Sequence, residues 1–180
     1  MQRAIKYLAY ALLTAVIFTS CGDNVSLQRY YVDNQESKNF ISQDLPLSLI
    51  ELDKSNFTEA QKEAYNSVNK LNFLGYKVNE TDTETYLAEL AKVKTILSDS
   101  KYNGLMEFSD KGNKISVKYI GTDEEADEVI VFGSAKDMGF GIVRILGDDM
   151  NPDKMVTLIS AFQNANIEKG QIENIMNYFK

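Results

Sequence analysis

Apolar residues along the chain recur with two periods, and each period predicts a different kind of element. Helical spacing appears in "TEAQKEAYNSVNKL", where Thr58 and Gln61 form a capping box before an apolar face. A second capping box, Thr81 with Glu84, opens the next predicted helix. The apolar faces of these two helices are Ala60, Ala64, Val68 and Leu71, and Tyr86, Leu90, Val93 and Leu97.

Strand-like alternation appears both before and after these helices. "NFISQDLP" predicts a strand that ends at Pro46, and "NFLGYKVN" predicts another. Across Leu105–Gly147, alternating runs are joined by polar turns such as "DKGN", where Gly112 is free to adopt positive φ. The run "VIVF" is apolar on both faces, which is typical of a central strand. This segment therefore predicts a meander of up to four antiparallel strands.

Two more helices are predicted at the C-terminal end, the first capped by Asn151 with Pro152 in its first turn. Their inward faces are Met155, Leu158, Ile159 and Phe162, and Ile172, Ile175, Met176 and Phe179. The predicted fold class is α+β, an antiparallel β-meander sheet with helices packed mainly on one face.

The N-terminal residues have the three parts of an export signal. Arg3 and Lys6 precede an apolar run of about 12 residues, too short to span a bilayer. Small residues then lead to Cys21, the only cysteine, and this arrangement resembles a bacterial lipoprotein signal, with Phe18 where Leu is usual. The resemblance implies cleavage between Ser20 and Cys21 and attachment of a lipid to the Cys21 thiol.

This signal predicts the organisation and location of the protein. Residues 1–20 form the signal peptide, residues 21–37 a lipid-anchored cysteine with a polar tether, and residues 38–180 a single α+β domain. Leu27, Tyr30 and Tyr31 also have helical spacing, so part of the tether is alternatively a short docked helix. The predicted location is the cell envelope at the outer membrane, and the side that the domain faces stays open.

Composition excludes several chemistries. Removing Arg3 and Lys6 with the signal leaves 17 basic residues against 26 acidic ones, a net charge of −9. A chain this acidic repels the phosphates of nucleic acids, so no nucleic-acid partner is predicted. The chain has no histidine and one cysteine, which excludes disulfides, imidazole or thiolate zinc sites and His-based catalysis. No cofactor is predicted.

The segment from "LMEFSDKGNKISVKYIG" to "GIVRILGDDMNPDKM" also resembles a known family, the domain of unknown function 4252 of small Bacteroidetes envelope lipoproteins. The matching parts are Ile115–Ile120, Thr122–Asp127, Val129–Phe132 and Ile142–Asp148. The resemblance implies a fold and a compartment, and it assigns no catalytic residue.

Two acidic segments are candidate cation sites. Asp149, Asn151 and Asp153 have the spacing of the first calcium-loop ligands, but Lys154 stands where that loop requires Gly. We therefore favour a helix cap by Asn151 over a metal site. In "TDEEADE", we favour a solvated turn over a weak cation site; its carboxylates are Asp123, Glu124, Glu125, Asp127 and Glu128.

Arg144, inside an apolar strand, is the best candidate for a ligand contact, together with Lys118. A guanidinium binds a carboxylate or phosphate bidentately. The alternative, which we favour, is that Arg144 extends over an open sheet face or pairs with a nearby acid.

Three functions follow, in order of preference. The first is a non-enzymatic envelope lipoprotein that binds another protein or supports an assembly. The second is a small-ligand binder that uses the sheet face around Arg144 and Lys118, and the third is a hydrolase built on paired carboxylates.

Overall fold

The computed structural model describes residues 25–47, 54–78, 82–110 and 112–164. Within them, four helices and six strands follow one another along the chain. In order, they are α1 (Leu27–Asn34), β1 (Phe40–Pro46), α2 (Glu59–Ser67), β2 (Val68–Lys77), α3 (Thr83–Leu97), β3 (Asn103–Asp110), β4 (Asn113–Gly121), β5 (Ala126–Ala135), β6 (Gly139–Met150) and α4 (Pro152–Asn164). Among the helices described, none has both the length and the apolar character needed to cross a membrane.

The six strands form one antiparallel sheet in the order β1-β2-β6-β5-β4-β3. The predicted meander is confirmed as β3 to β6, with Gly112 at a φ of 89° in the first turn. The "VIVF" strand, β5, lies inside the sheet between β4 and β6, as its apolar faces predict. The earlier strands β1 and β2 extend the same sheet beyond β6.

The helices cover both faces of the sheet, which corrects the prediction that they pack mainly on one. On one face, α1 and α3 pack on Leu74, Ile130 and Ile142, and we name it the α1/α3 face. On the other, α2 and α4 pack on Val129 and Ile145, and we name it the α2/α4 face. Adjacent residues of β5 point to opposite faces and both are buried, so each face requires its own cover.

Helix α1 belongs to the domain, so the docked-helix alternative for the tether is correct. Leu27, Tyr30 and Tyr31 are buried in the core under α1. The Ser26 side chain caps the helix, and the Leu27 backbone N–H donates to the Tyr102 hydroxyl at 3.0 Å. The predicted boundary between residues 37 and 38 therefore moves to a point before Leu27.

Two helix ends differ from the prediction. Helix α2 ends at Ser67 rather than near Leu71, because Val68 pairs with Gly147 of β6 and is buried in the sheet. Long-range pairing outweighs the helical spacing there. Helix α3 has Asp82 as its N-cap, without a side-chain cap bond. The predicted cap Thr81 and the last predicted helix, with Ile172, Ile175, Met176 and Phe179, lie outside the described residues.

Gly139 closes the β5–β6 turn in a conformation that only glycine adopts easily. Its φ is 124°, and a β-carbon there would overlap the carbonyl oxygen of Tyr76 on β2. Because the obstacle is backbone, no side-chain rotation relieves it. The packing of the turn against β2 therefore leaves no room for a side chain at position 139.

We expect Gly139→Ala to lower the free energy of unfolding by about 3 kcal/mol, through backbone strain and overlap. The measurement is urea denaturation followed by circular dichroism. Gly104→Ala is the control, because a β-carbon at Gly104 has no atom within 4 Å, and its change should stay within about 0.5 kcal/mol. Equal losses in both variants would contradict this explanation.

Candidate functional site

Arg144 lies on the α1/α3 face of β6 and is paired with Glu128 of β5. Its Nε donates to Oε1 at 2.6 Å and its Nη2 donates to Oε2 at 2.8 Å. The two residues are only 6% and 8% exposed. In the regular register of β5 and β6, Ile130 lies directly opposite Arg144, and Glu128 lies opposite Leu146. The carboxylate therefore reaches the guanidinium diagonally and closes a bidentate, buried ion pair.

Polar neighbours continue this arrangement towards the edge of the sheet. Asn72 of β2 lies opposite Arg144 and donates to Asp44 of β1, which also accepts a hydrogen bond from the Tyr31 hydroxyl at 2.7 Å. Burial opposes the charge of Arg144, but the hydrogen bonds and charge of Glu128 outweigh it, so the pKa of Arg144 is raised. No buried side-chain nitrogen or oxygen in the described part of the chain lacks a hydrogen-bond partner. We name Asp44, Asn72, Arg144 and Glu128 the polar row.

The structure separates Arg144 from Lys118, the two residues predicted as ligand contacts. Both lie on the α1/α3 face with Ile130 between them, and Lys118 Nζ donates to the Tyr102 carbonyl oxygen at 3.3 Å. The fork of Arg144 is already bound by Glu128. Three cavities of about 410, 320 and 330 Å³ are not lined by Arg144. Pairing with a nearby acid, the interpretation that we favoured, is the observed arrangement.

Asn151 is a helix cap, as predicted. Its Oδ1 accepts from the Lys154 backbone N–H at 3.0 Å, and its Nδ2 donates to the Glu124 carbonyl oxygen at 3.3 Å. The calcium alternative with Asp149 and Asp153 gains no support from this geometry, because Asn151 Oδ1 is already used. In the ranges that the structure describes, no group of three or more His, Cys, Asp or Glu side chains is placed to hold a metal.

The acidic segment is an exposed turn with one exception. Asp123, Glu124, Glu125 and Asp127 are exposed around the β4–β5 connection, and Asp123 accepts from the Tyr119 hydroxyl at 2.5 Å. Glu128, which we grouped with them, is buried on β5 and paired with Arg144. It is the only buried acid among the described residues. The described residues therefore do not contain the two buried carboxylates that such a hydrolase would need.

The α2/α4 face is uncovered near the β5–β6 turn, and an apolar concavity of about 320 Å³ lies there. Gly133 of β5 pairs with Gly141 of β6, so this part of the sheet presents backbone without side chains. Ile115 and Met138 line the concavity, and Phe108 pairs with Ile115 at its edge. We name these five residues the apolar trough. Glycines within strands often mark a place where another backbone or ligand approaches closely.

The apolar trough was not predicted from the sequence, although a signal for it was present. "FGSAKDMGFG" spaces Gly133, Met138 and Gly141 around one turn, and the alternation of β4 turns Ile115 to the same face. Phe108, Ile115 and Met138 are 45%, 37% and 51% exposed. Apolar residues at strand spacing usually predict a face that is covered by other elements. Only the positions of the helices show that the α2/α4 face is uncovered near the β5–β6 turn.

The family model for a domain of unknown function (DUF4252) matches residues 30–158. The chain belongs to this family. The match begins within α1 and ends within α4, so it includes the whole six-stranded sheet. No curated protein and no solved structure matches the chain. Membership of this domain family, which the resemblance implied, is thereby confirmed. The match assigns no activity to any residue of the polar row or the apolar trough.

We expect Arg144→Met to lower the free energy of unfolding by about 3–5 kcal/mol, because it leaves the Glu128 carboxylate buried without its partner. The double variant Arg144→Met/Glu128→Leu should lose less than the single variant. Urea denaturation of the single and double variants measures this coupling.

The control is the exposed pair of Lys62 and Glu59, whose side chains are 46% and 84% exposed. Lys62→Met should cost less than about 1 kcal/mol. Additive losses in the Arg144 and Glu128 variants would show that the two side chains do not act as a pair.

Proposed function

We propose that the protein is a non-enzymatic lipoprotein of the Bacteroidetes cell envelope, anchored at the outer membrane through Cys21, whose domain binds another protein. The anchor is supported by the order of the N-terminal residues: a basic start, a short apolar run, small residues and the single cysteine. Each buried methylene of an acyl chain contributes about 0.8 kcal/mol, so two or three chains hold a small domain stably. No cofactor is part of this function.

The apolar trough is the observation that carries the binding role. Three large apolar side chains exposed together, next to a backbone floor of glycines, favour contact with an apolar segment of a partner. Exposed apolar side chains cost free energy in water, and a partner that covers them removes this cost. The other large apolar side chains that are exposed in the described ranges lie elsewhere, at Val25, Val32 and Leu87.

The net charge limits the kind of partner. With a mature charge of −9, the domain repels polyanions, and the trough itself is lined mainly by uncharged residues. A protein segment with apolar side chains therefore fits better than a nucleic acid. The contact is expected within the envelope, where the anchor holds the domain.

Cys21→Ser should abolish lipid attachment and leave the signal peptide uncleaved. Mass spectrometry of the protein purified from cells should show Cys21 as the lipid-modified N-terminus of the unaltered chain. The variant should still carry the signal peptide, residues 1–20. Ser20→Ala is the control, because it keeps a small residue before the cysteine and should be processed normally. An unaltered chain with an intact signal and a free thiol would overturn the anchoring proposal.

A photoreactive amino acid at Phe108 should form a crosslink to one protein partner in living cells. The same group at Leu87 is the control, because Leu87 is also exposed, at 55%, but lies on α3 away from the trough. The readout is the mass of the crosslinked species and the peptide that it contains. Filling the trough with Gly133→Leu should reduce the Phe108 crosslink several-fold. Equal crosslinking from both positions would contradict a specific contact.

A further inference from the structure

A second concavity, of about 330 Å³, opens on the α1/α3 face where the helices leave β4 uncovered. Its lining includes three lysines from two elements, a serine and two apolar side chains. They are Lys94 and Leu97 of α3, Lys114, Ser116 and Lys118 of β4, and Phe132 of β5. We name these six residues the lysine cleft.

The lysines converge because of the strand period. Lys114, Ser116 and Lys118 alternate along β4, so all three point to the α1/α3 face, and Ser116 lies opposite Phe132. The C-terminal half of α3 brings Lys94 alongside them. Lys94 also complements the negative end of that helix, but the two lysines of β4 have no such role.

No carboxylate lies within ion-pair distance of these lysines in the described part of the chain. Among the other lysines of the described ranges, three have acidic partners, namely Lys62, Lys92 and Lys154. The Lys118 ammonium makes one hydrogen bond, to the Tyr102 carbonyl oxygen, which leaves two of its three donors available. Glu107 also lines the concavity, so its lining carries three positive charges and one negative.

We propose that the lysine cleft binds a small organic anion, a phosphate or carboxylate that carries a short apolar group. Like charges gathered in a concave site with apolar walls concentrate the field there and attract a counter-ion. The ammonium groups and the Ser116 hydroxyl supply donors for the anion, and Leu97 and Phe132 supply an apolar floor. A volume of about 330 Å³ is at the small end of ligand pockets, which limits the size of the ligand.

The cleft also lies near the point where the chain enters the domain. Tyr102 accepts from Lys118 through its carbonyl oxygen and from the Leu27 backbone N–H through its hydroxyl. Cys21 is six residues before Leu27, so a lipid there would lie within roughly 22 Å of α1. The anion is therefore either a lipid headgroup or a soluble molecule with the same chemistry.

The test is a titration of the full chain with hexyl phosphate, inorganic phosphate and the neutral hexyl glucoside, followed by calorimetry. Hexyl phosphate should bind saturably and more tightly than either of the other two. Lys118→Gln and Lys94→Gln should each raise its Kd about tenfold, the loss of one charge-assisted hydrogen bond. Lys136→Gln is the matched control: it removes the same charge from an exposed lysine of the β5–β6 turn and should leave the Kd unchanged.

A second arm identifies the source of the anion. Binding to phosphatidylcholine vesicles with and without phosphatidylglycerol is compared for the unaltered chain and Lys118→Gln. A phosphatidylglycerol-dependent gain that needs Lys118 supports a lipid headgroup. Hexyl phosphate binding without that gain supports a soluble anion. Absence of saturable hexyl phosphate binding, or an equal loss in Lys136→Gln, would overturn the site.

Discussion

Strands β5 and β6 bury apolar side chains on both faces, and this requirement determines where the other elements lie. Val129 and Ile130 are neighbours in sequence, point to opposite faces and are both fully buried. Each such side chain contributes about 1.5–3 kcal/mol when it leaves water, so neither face can remain bare. Helices α1 and α3 cover one face, and α2 and α4 cover the other. Both covers end before they reach all of β4, and the apolar trough and the lysine cleft lie in the parts left open.

The buried pair of Arg144 and Glu128 contributes more to specificity than to net stability. Desolvating two charges offsets most of their attraction, so an apolar pair of equal volume would serve stability as well. A slip of one residue between β5 and β6, however, would turn Glu128 to the opposite face and leave Arg144 buried alone. The cost of an unpaired buried charge therefore disfavours that register. Because Glu128 occupies the guanidinium, the ion pair also explains why an arginine is present in this apolar strand, without a bound ligand.

Elements with local signals were predictable from the sequence, and those set by distant partners were not. Gly112 and Asn151 mark a turn and a helix start through their own backbone geometry or side chain, and both predictions hold. Val68 has helical spacing, yet pairing with Gly147, 79 residues away in sequence, places it in a strand. The sequence predicts that Glu128 belongs to an acidic turn, and only the position of Arg144 on β6 shows that it is a buried partner. In the candidate site, Lys118 was placed on the sheet face of Arg144 from the sequence, but Lys94 comes from a helix whose position the pattern does not give.

Strand β4 contributes to both open surfaces, and its alternation keeps them apart. Ile115 points to the α2/α4 face and lines the apolar trough, while Lys118 points to the opposite face and lines the lysine cleft. Three residues along a strand span about 10 Å, and the sheet itself lies between the two surfaces. Lys114, near the start of β4, is the exception, because it lines both concavities. An anion held at the Lys118 end of the cleft would lie apart from a partner in the trough, whereas an anion held by Lys114 would lie near it. One strand therefore positions both surfaces, and Lys114 is the side chain through which one site could influence the other.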